Sequence, residues 1–275
     1  MIKKNLAPIL LLSDENAWQI FAGDKKAKAI VARLEEIMQL SPLEVPHRRL
    51  SVITNNRPGS RKLTSGDVEV FVPSLDELTL REISVQLLQP IFQDIQERGG
   101  LFVHSALAER DGVGVILPGS SGVGKTTVSN RFPFPWKSLC DDETRVAPDT
   151  RGRYWAHPWP TWYDFGLTES KETWNVNHAV PLRGIFFLTK SRKDCIKPID
   201  TKEAVGMFVE IDRRATPGWL ELPGTEKKML MNRRLMRFEN ACALARSVPS
   251  FVLGVSATGR FWEKINTVLG LGNQI

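Results

Sequence analysis

The chain has 275 residues, with 37 Lys and Arg against 31 Asp and Glu, a formal net charge of +6 and 42% hydrophobic residues. These proportions exclude a disordered or low-complexity chain and describe an ordinary globular protein. No apolar run approaches the roughly 18 residues of a membrane helix. The three cysteines, Cys140, Cys195 and Cys242, include no C-x-x-C pair, so neither a disulfide framework nor a zinc site is expected and a reducing cytoplasm is the predicted setting.

The start pairs a basic tip with a short apolar run that ends at Ser13-Asp14-Glu15 without a small-residue cleavage site. This predicts a first strand over Ile9–Leu12 instead of a signal peptide. Further strands are predicted over Leu50–Thr54 and Val68–Val72, with an amphipathic helix over Lys25–Leu40 and loop and turn residues filling Thr54–Asp67. A longer helix over Leu78–Glu97 is expected to break at Gly99-Gly100.

Two apolar runs follow, Leu101–Ala108 and Val113–Leu117, separated by Glu109-Arg110-Asp111-Gly112. Asp-Gly is a tight-turn signal, so these runs predict an antiparallel hairpin. Its second strand enters Gly119-Ser120-Ser121-Gly122-Val123-Gly124-Lys125-Thr126, which fits the phosphate-binding pattern G-x-x-x-x-G-K-[ST] at every fixed position. In such a loop, glycines let backbone N–H groups approach phosphate oxygens, the lysine reaches the outer phosphates and the hydroxyl ligates Mg²⁺. Residues Gly119 to Thr127 are the predicted nucleotide contacts. The helix opening at Thr126 meets Pro133 and Pro135, so about two turns are expected.

Short strands are predicted over Ser138–Cys140, Thr144–Ala147, Tyr154–Ala156 and Gly184–Leu188. The last third reads as helix, helix, strand (Ser250–Val255), helix. On the helix from Lys227, the residues Met231, Leu235, Phe238, Cys242 and Ala245 share one face and are expected to pack in the core. Between residues 211 and 238, seven basic residues (Arg213, Arg214, Lys227, Lys228, Arg233, Arg234, Arg237) stand against three acidic ones. That surplus reads as a solvated basic helix face or as an attractor for an acidic peptide. No DNA- or RNA-binding motif accompanies it, so nucleic acid is not an expected partner.

Asp141 and Asp142 follow a short apolar run, sixteen and seventeen residues after Lys125. Phosphoryl transfer needs a metal ligand and, for a hydroxyl acceptor, a group that takes its proton. Adjacent carboxylates at a strand end can divide those tasks, although an exposed acidic turn is the alternative. His104, on the strand before the loop, is either a structural histidine or part of the site. Trp155, Trp159, Trp162, Tyr163 and Phe165, with His157, Pro158 and Pro160, either pack a long loop or wall a groove for a peptide or nucleobase.

The stretch from Val103 to Thr127, followed by Cys140-Asp141-Asp142-Glu143, resembles the catalytic core of HPr kinase/phosphorylase and its relatives. Their phosphate-loop architecture is shared with phosphoenolpyruvate carboxykinases. The pattern of the first eighty residues by itself reads as a small N-terminal α+β module over 1–80, while the resemblance implies an α/β fold with a P-loop catalytic domain, taken over residues 81–275. It implies that Gly119, Gly122, Gly124, Lys125 and Thr126 hold ATP phosphates and Mg²⁺, and that His104 lies close to the transferred phosphate. It makes Asp141 the base on an acceptor hydroxyl and Asp142 the metal-associated acid.

The likeness is good over residues 101 to 145 and departs elsewhere. Thr127 stands where an acidic residue is usual, and a Gly-Gly-Arg-Asn-like segment is missing from the C-terminal part. The ending from Arg233 to Ile265 and the stretch Arg151–Trp162 are similar to accessory proteins of peptide-maturation cassettes, of the SynChlorMet cassette protein ScmC type. The expected activity is transfer of the ATP γ-phosphoryl group to a Ser or Thr hydroxyl of a peptide or protein. The alternative is a nucleotide-bound accessory protein that recruits a precursor peptide without catalysis. A homo-oligomer is compatible with either.

Overall fold

The computed structural model describes residues 8–13, 16–42, 48–162, 165, 170–214 and 227–272. The fold is mixed α/β with two sheets. The first sheet contains β1 (Ile9–Ser13), β2 (Asn16–Ala22), β3 (Arg48–Thr54), β4 (Gly59–Lys62) and β5 (Val68–Val72), in the order β1-β2-β3-β5-β4. β2, β3 and β5 run parallel, and α1 (Ala27–Met38) makes the crossover from β2 to β3. Ala27, Ile30, Val31, Leu34, Ile37 and Met38 recur at helical spacing and form its buried face.

The second sheet is built from β6 (Leu101–Arg110), β7 (Val113–Pro118), β8 (Lys137–Cys140), β9 (Glu143–Pro148), β10 (Tyr154–Trp159), β11 (Val180–Lys190), β12 (Cys195–Ile199) and β13 (Ser250–Val255). Its order is β10-β9-β6-β7-β11-β13-β12, with β8 also on β6, and a further pairing of β10 with β11 closes part of it into a ring. β7, β11 and β13 are parallel neighbours at its centre. The expected hairpin joins β6 to β7, and Asp111 and Gly112 both have positive φ, 52° and 74°, as its two-residue turn requires.

Alternation along β7 divides the interior. Ile116 enters the large core shared with the first sheet, while Val115 and Leu117 enter a smaller one. The smaller core is closed by α4 (Lys125–Ser129) and α7 (Phe261–Leu269) through Val128, Trp136, Phe261 and Ile265. On the larger face lie α5 (Thr201–Arg214) and α6 (Lys227–Ser247).

Several expectations need correction. Leu78–Glu97 is two helices, α2 (Leu80–Leu87) and α3 (Gln89–Glu97). Pro90 starts the second, because proline lacks the N–H that would continue the first. Within Thr54–Asp67 the chain forms the edge strand β4, and β2 and β12 are strands for which no expectation was made.

The largest correction concerns α6. Met231, Leu235 and Phe238 are 67%, 54% and 46% exposed. Ala245 is buried and Cys242 half-buried against the core as expected, and the rest of the buried face is Arg233, Arg237, Asn240, Ala241 and Leu244. Polar residues sit inside because they bind backbone carbonyls. Arg237 donates to Phe102 O at 2.6 Å, and Asn240 Nδ2 donates to Gln96 O and Gly100 O at 2.8 and 3.0 Å. Of the seven basic residues in that region, Arg233 and Arg237 are therefore interior, Lys227, Lys228 and Arg234 are exposed, and the side chains of Arg213 and Arg214 lie outside the described residues.

The two sheets meet through specific bonds. Asp94 on α3 accepts from Trp18 Nε1 at 3.1 Å and pairs with Arg48 and Arg98. Arg145, fully buried on β9, donates to Leu11 O and reaches His157 Nδ1. Burial lowers the Arg145 guanidinium to about 9 and holds His157 well below its ordinary value, an effect the adjacent Arg145 charge reinforces. Asn177 brackets β1 by accepting from Leu11 N and donating to Ile9 O, both at 2.9 Å.

Candidate functional site

The glycine-rich loop runs from the end of β7 to the first turn of α4. Gly119 is required by close approach, since a Cβ there would meet Val123 Cγ1 at 2.6 Å. Gly122 and Gly124 have φ of 76° and 108°, the region that favours glycine. Nothing lies within 4 Å of an added Cβ at either position, so the positive φ, not crowding, is what favours glycine there. Ser121, Thr126 and Thr127 are exposed at its surface, while Ser120 and Val123 are half-buried. α4 ends after five residues, at Ser129, close to the short helix expected before Pro133.

Lys125 is only 7% exposed, and its ammonium is held by two acceptors. It donates to Gly119 O at 3.1 Å and to His104 Nε2 at 2.7 Å. An ammonium can only donate, so Nε2 accepts and the His104 proton sits on Nδ1. That nitrogen is 3.2 Å from Asp142 Oδ1. Asp142, His104 and Lys125 thus form one chain from the end of β8 to the loop.

Burial lowers the His104 pKa and the Lys125 charge lowers it further, against the opposing pull of Asp142. The histidine is neutral at pH 7, as the bonding pattern demands. Lys125 is also lowered by burial, with Asp142 and then Asp141 acting the other way. The local strand pairing creates this arrangement: β6 lies between β7 and β9, so His104 is opposite Glu143 and its carbonyl accepts from Gly119 N at 3.3 Å.

Asp141 and Asp142 follow β8 and face a cavity of about 880 Å³. Ser121, Thr126 and Asn130 line it from the loop side, and Thr161, Glu172 and Trp174 from the opposite wall. Thr161 Oγ1 is buried there without a hydrogen-bond partner among the described residues. Cys140 also borders the cavity, but burial pushes its thiol up to about 12, which leaves it a weak nucleophile.

Of the candidates from the sequence, Gly119 to Thr127 form the loop, Asp141 and Asp142 line the cavity, and His104 on β6 bridges Lys125 and Asp142, whereas no described member of the aromatic cluster lines the cavity. Trp159 is fully buried against Phe92 and Phe102, with ring centroids 5.8 and 4.9 Å away. It belongs to the core. Trp162 and Phe165 are interior as well, Phe165 packing edge-on against Trp174 at 6.1 Å, and Tyr163 lies outside the described residues. The groove wall is instead Thr161, Glu172 and Trp174. Trp174 stands apart from the proline-rich run, and no local pattern marked it.

The loop and the aspartate pair carry the residues that could hold a phosphate group and a divalent cation. The loop supplies a buried ammonium, while the Thr126 hydroxyl and the partly exposed Asp142 carboxylate supply hard oxygen ligands. No helix among the described residues is long and apolar enough to cross a membrane. Among curated proteins, none matches this chain. Residues 74–270, which contain the loop, His104, the aspartate pair and Trp174, match the family model of SynChlorMet cassette protein ScmC, and the chain belongs to that family.

Proposed function

We propose that the protein is an ATP-dependent kinase with an HPr-kinase-like P-loop core, which phosphorylates a Ser or Thr hydroxyl of a peptide handled by its cassette. The observation that carries this reading is the chain Asp142–His104–Lys125, which ties the loop lysine to the aspartate pair at the mouth of one cavity. Lys125 binds phosphate oxygens, and His104 orients Lys125 and Asp142 without entering the chemistry. Thr126 and Asp142 would hold Mg²⁺, which would supply charge neutralisation on the phosphate oxygens.

In the transfer step the acceptor oxygen forms a bond to the γ-phosphorus as the bond to the β–γ bridging oxygen breaks, and ADP departs. The acceptor proton passes to the Asp141 carboxylate. The cavity opposite the loop, with Trp174 as an apolar wall and Thr161 Oγ1 as an unpartnered polar group, receives the acceptor residue.

Incubation with γ-labelled ATP, Mg²⁺ and the precursor peptide of the same cassette is the direct test. Label on a Ser or Thr of the peptide, absent with Asp141→Asn, is the expected result. A second reading, nucleotide-dependent recruitment without transfer, is favoured by Thr127, which offers a hydroxyl where the resembling kinases carry an acid. Tight nucleotide and peptide binding with no labelled product would establish that reading instead.

A further inference from the structure

The glycine-rich loop is a partition between two cavities of opposite character. Ser121 and Thr126 face the acidic cavity, whereas Pro118, Gly119 and Ser120 border a second one, of about 410 Å³. Its walls are chiefly Phe187, Leu188, Ile199, Met207, Ile211 and Val252. We propose that this second cavity receives the nucleoside end of the nucleotide, with a purine base as the ligand. The proposal rests on the reading of the loop as the phosphate site.

Three observations converge. The cavity lies where the parallel strands β7 and β11 deliver their carboxyl ends beside α5, the usual position of ligands on α/β sheets. Its size and apolar lining are those of small-molecule sites, which run from about 300 to 1,000 Å³.

The third observation is the face that α5 presents. Glu203, Gly206, Met207, Glu210 and Ile211 line the cavity at helical spacing. Gly206 is exposed in the middle of that helix, and no atom lies within 4 Å of a Cβ added there. Glycine is the poorest helix former after proline, and neither a turn nor internal crowding requires it here. Its bare backbone leaves room for a flat ligand to lie against the helix.

The rim supplies polar recognition. Glu203, whose Oε1 is 3.6 Å from Lys197 Nζ and whose Oε2 accepts from Asp200 N at 3.3 Å, borders the apolar slot together with Glu210. Carboxylates accept from the exocyclic amino and ring N–H groups of purines, while the half-buried Met207 offers an apolar contact to a face of the ring. The acidic cavity lacks such apolar walls apart from Leu139 and Trp174, which fits an acceptor hydroxyl better than a base.

The test separates the two ends of the ligand. ATP and inorganic tripolyphosphate are titrated calorimetrically, with Mg²⁺, into wild type, Gly206→Leu, Met207→Trp and Lys125→Ala. Leucine favours helix over glycine, so Gly206→Leu fills the slot without weakening α5; a melting curve for each variant verifies this. The expected result is ATP binding at least tenfold weaker in both cavity variants, with tripolyphosphate binding unchanged, and loss of both ligands in Lys125→Ala. Cavity variants that hold ATP like wild type, or wild type that binds ATP no better than tripolyphosphate, would overturn the nucleoside site and leave the phosphate loop intact. Wild type that binds neither ligand would overturn both.

Discussion

His104 and Glu143 stand directly opposite each other on β6 and β9, so the histidine that joins Lys125 to Asp142 shares its sheet face with a carboxyl whose pKa burial raises to about 8. The Asp142 charge raises Glu143 further, and Arg237 opposes the shift. The site therefore rests against an acid that is largely protonated at neutral pH.

This pairing gives stability a pH dependence. Glu143 ordinarily titrates at 4.5 and in the folded chain at about 8, so the native state binds this proton more tightly than the unfolded one. Its contribution is fully present below 4.5 and is lost as pH rises to about 8. Melting temperatures of wild type and Glu143→Gln, compared from pH 5 to pH 9, are expected to converge at low pH, with wild type falling more steeply. His104 and His157 act in the opposite sense below their ordinary values, but both are common to the two proteins. Parallel curves would show that Glu143 ionises normally.

Lys125→Ala removes a buried ammonium aimed into the loop. The expected cost in ATP affinity is about 2–4 kcal/mol, the scale for truncating a buried charge contact. Fluorescent-nucleotide titration measures it. Equal binding by the two proteins would dismiss the loop as a phosphate site.

Asp141→Asn is expected to keep nucleotide affinity and slow transfer by about 10²–10⁴, the usual value of general-base help. His104→Ala should behave differently, because it leaves Lys125 with only Gly119 O and frees Asp142. A raised KM for ATP and an altered pH profile, both partly restored by His104→Gln through its amide oxygen, are the signature of a positioning role. Loss of kcat alone, with KM and pH profile untouched, would place His104 in the chemistry itself.

Two tryptophans should part company. Trp159→Ala opens a cavity in the core and is expected to destabilise the fold by about 3–5 kcal/mol. Trp174 is buried in the same core but borders the cavity, so Trp174→Ala should also lower stability and, unlike Trp159→Ala, raise the KM for a peptide acceptor while ATP binding stays as in wild type. Denaturant melts and steady-state kinetics on both variants check this, and a peptide KM unchanged by Trp174→Ala would remove the cavity from acceptor binding.

The two faces of α6 are equally testable. Leu244→Ala, on the buried face, is expected to cost about 2–5 kcal/mol. Leu235→Ser, at an exposed position, should shift stability by no more than about 0.5 kcal/mol. Urea unfolding of both variants distinguishes this orientation from one with the apolar stripe inside.

Local chemistry made much of this protein legible from its residues. The spacing of Gly119, Gly124, Lys125 and Thr126 specifies a loop whose backbone turns inward, Asp111-Gly112 specifies the hairpin, and Val68–Val72 and Ser250–Val255 are strands with the expected bounds. These features depend on conformational preferences of a few adjacent residues, so sequence carries them directly. Tertiary structure decided what depends on distant neighbours. Met231, Leu235 and Phe238 of α6 point outward, although Cys242 and Ala245 do meet the core, because Arg237 and Asn240 take the inner face and satisfy carbonyls of Phe102, Gln96 and Gly100. Trp159 reached the core through the pairing of β9 with β10, and Trp174 reached the part of that core beside the cavity through its backbone bond to Ile37 O, long-range contacts that no local pattern encodes. Likewise, His104 acquired its place only when β6 settled between β7 and β9, since a hydrogen-bonded chain of three residues far apart in sequence exists only after the sheet forms.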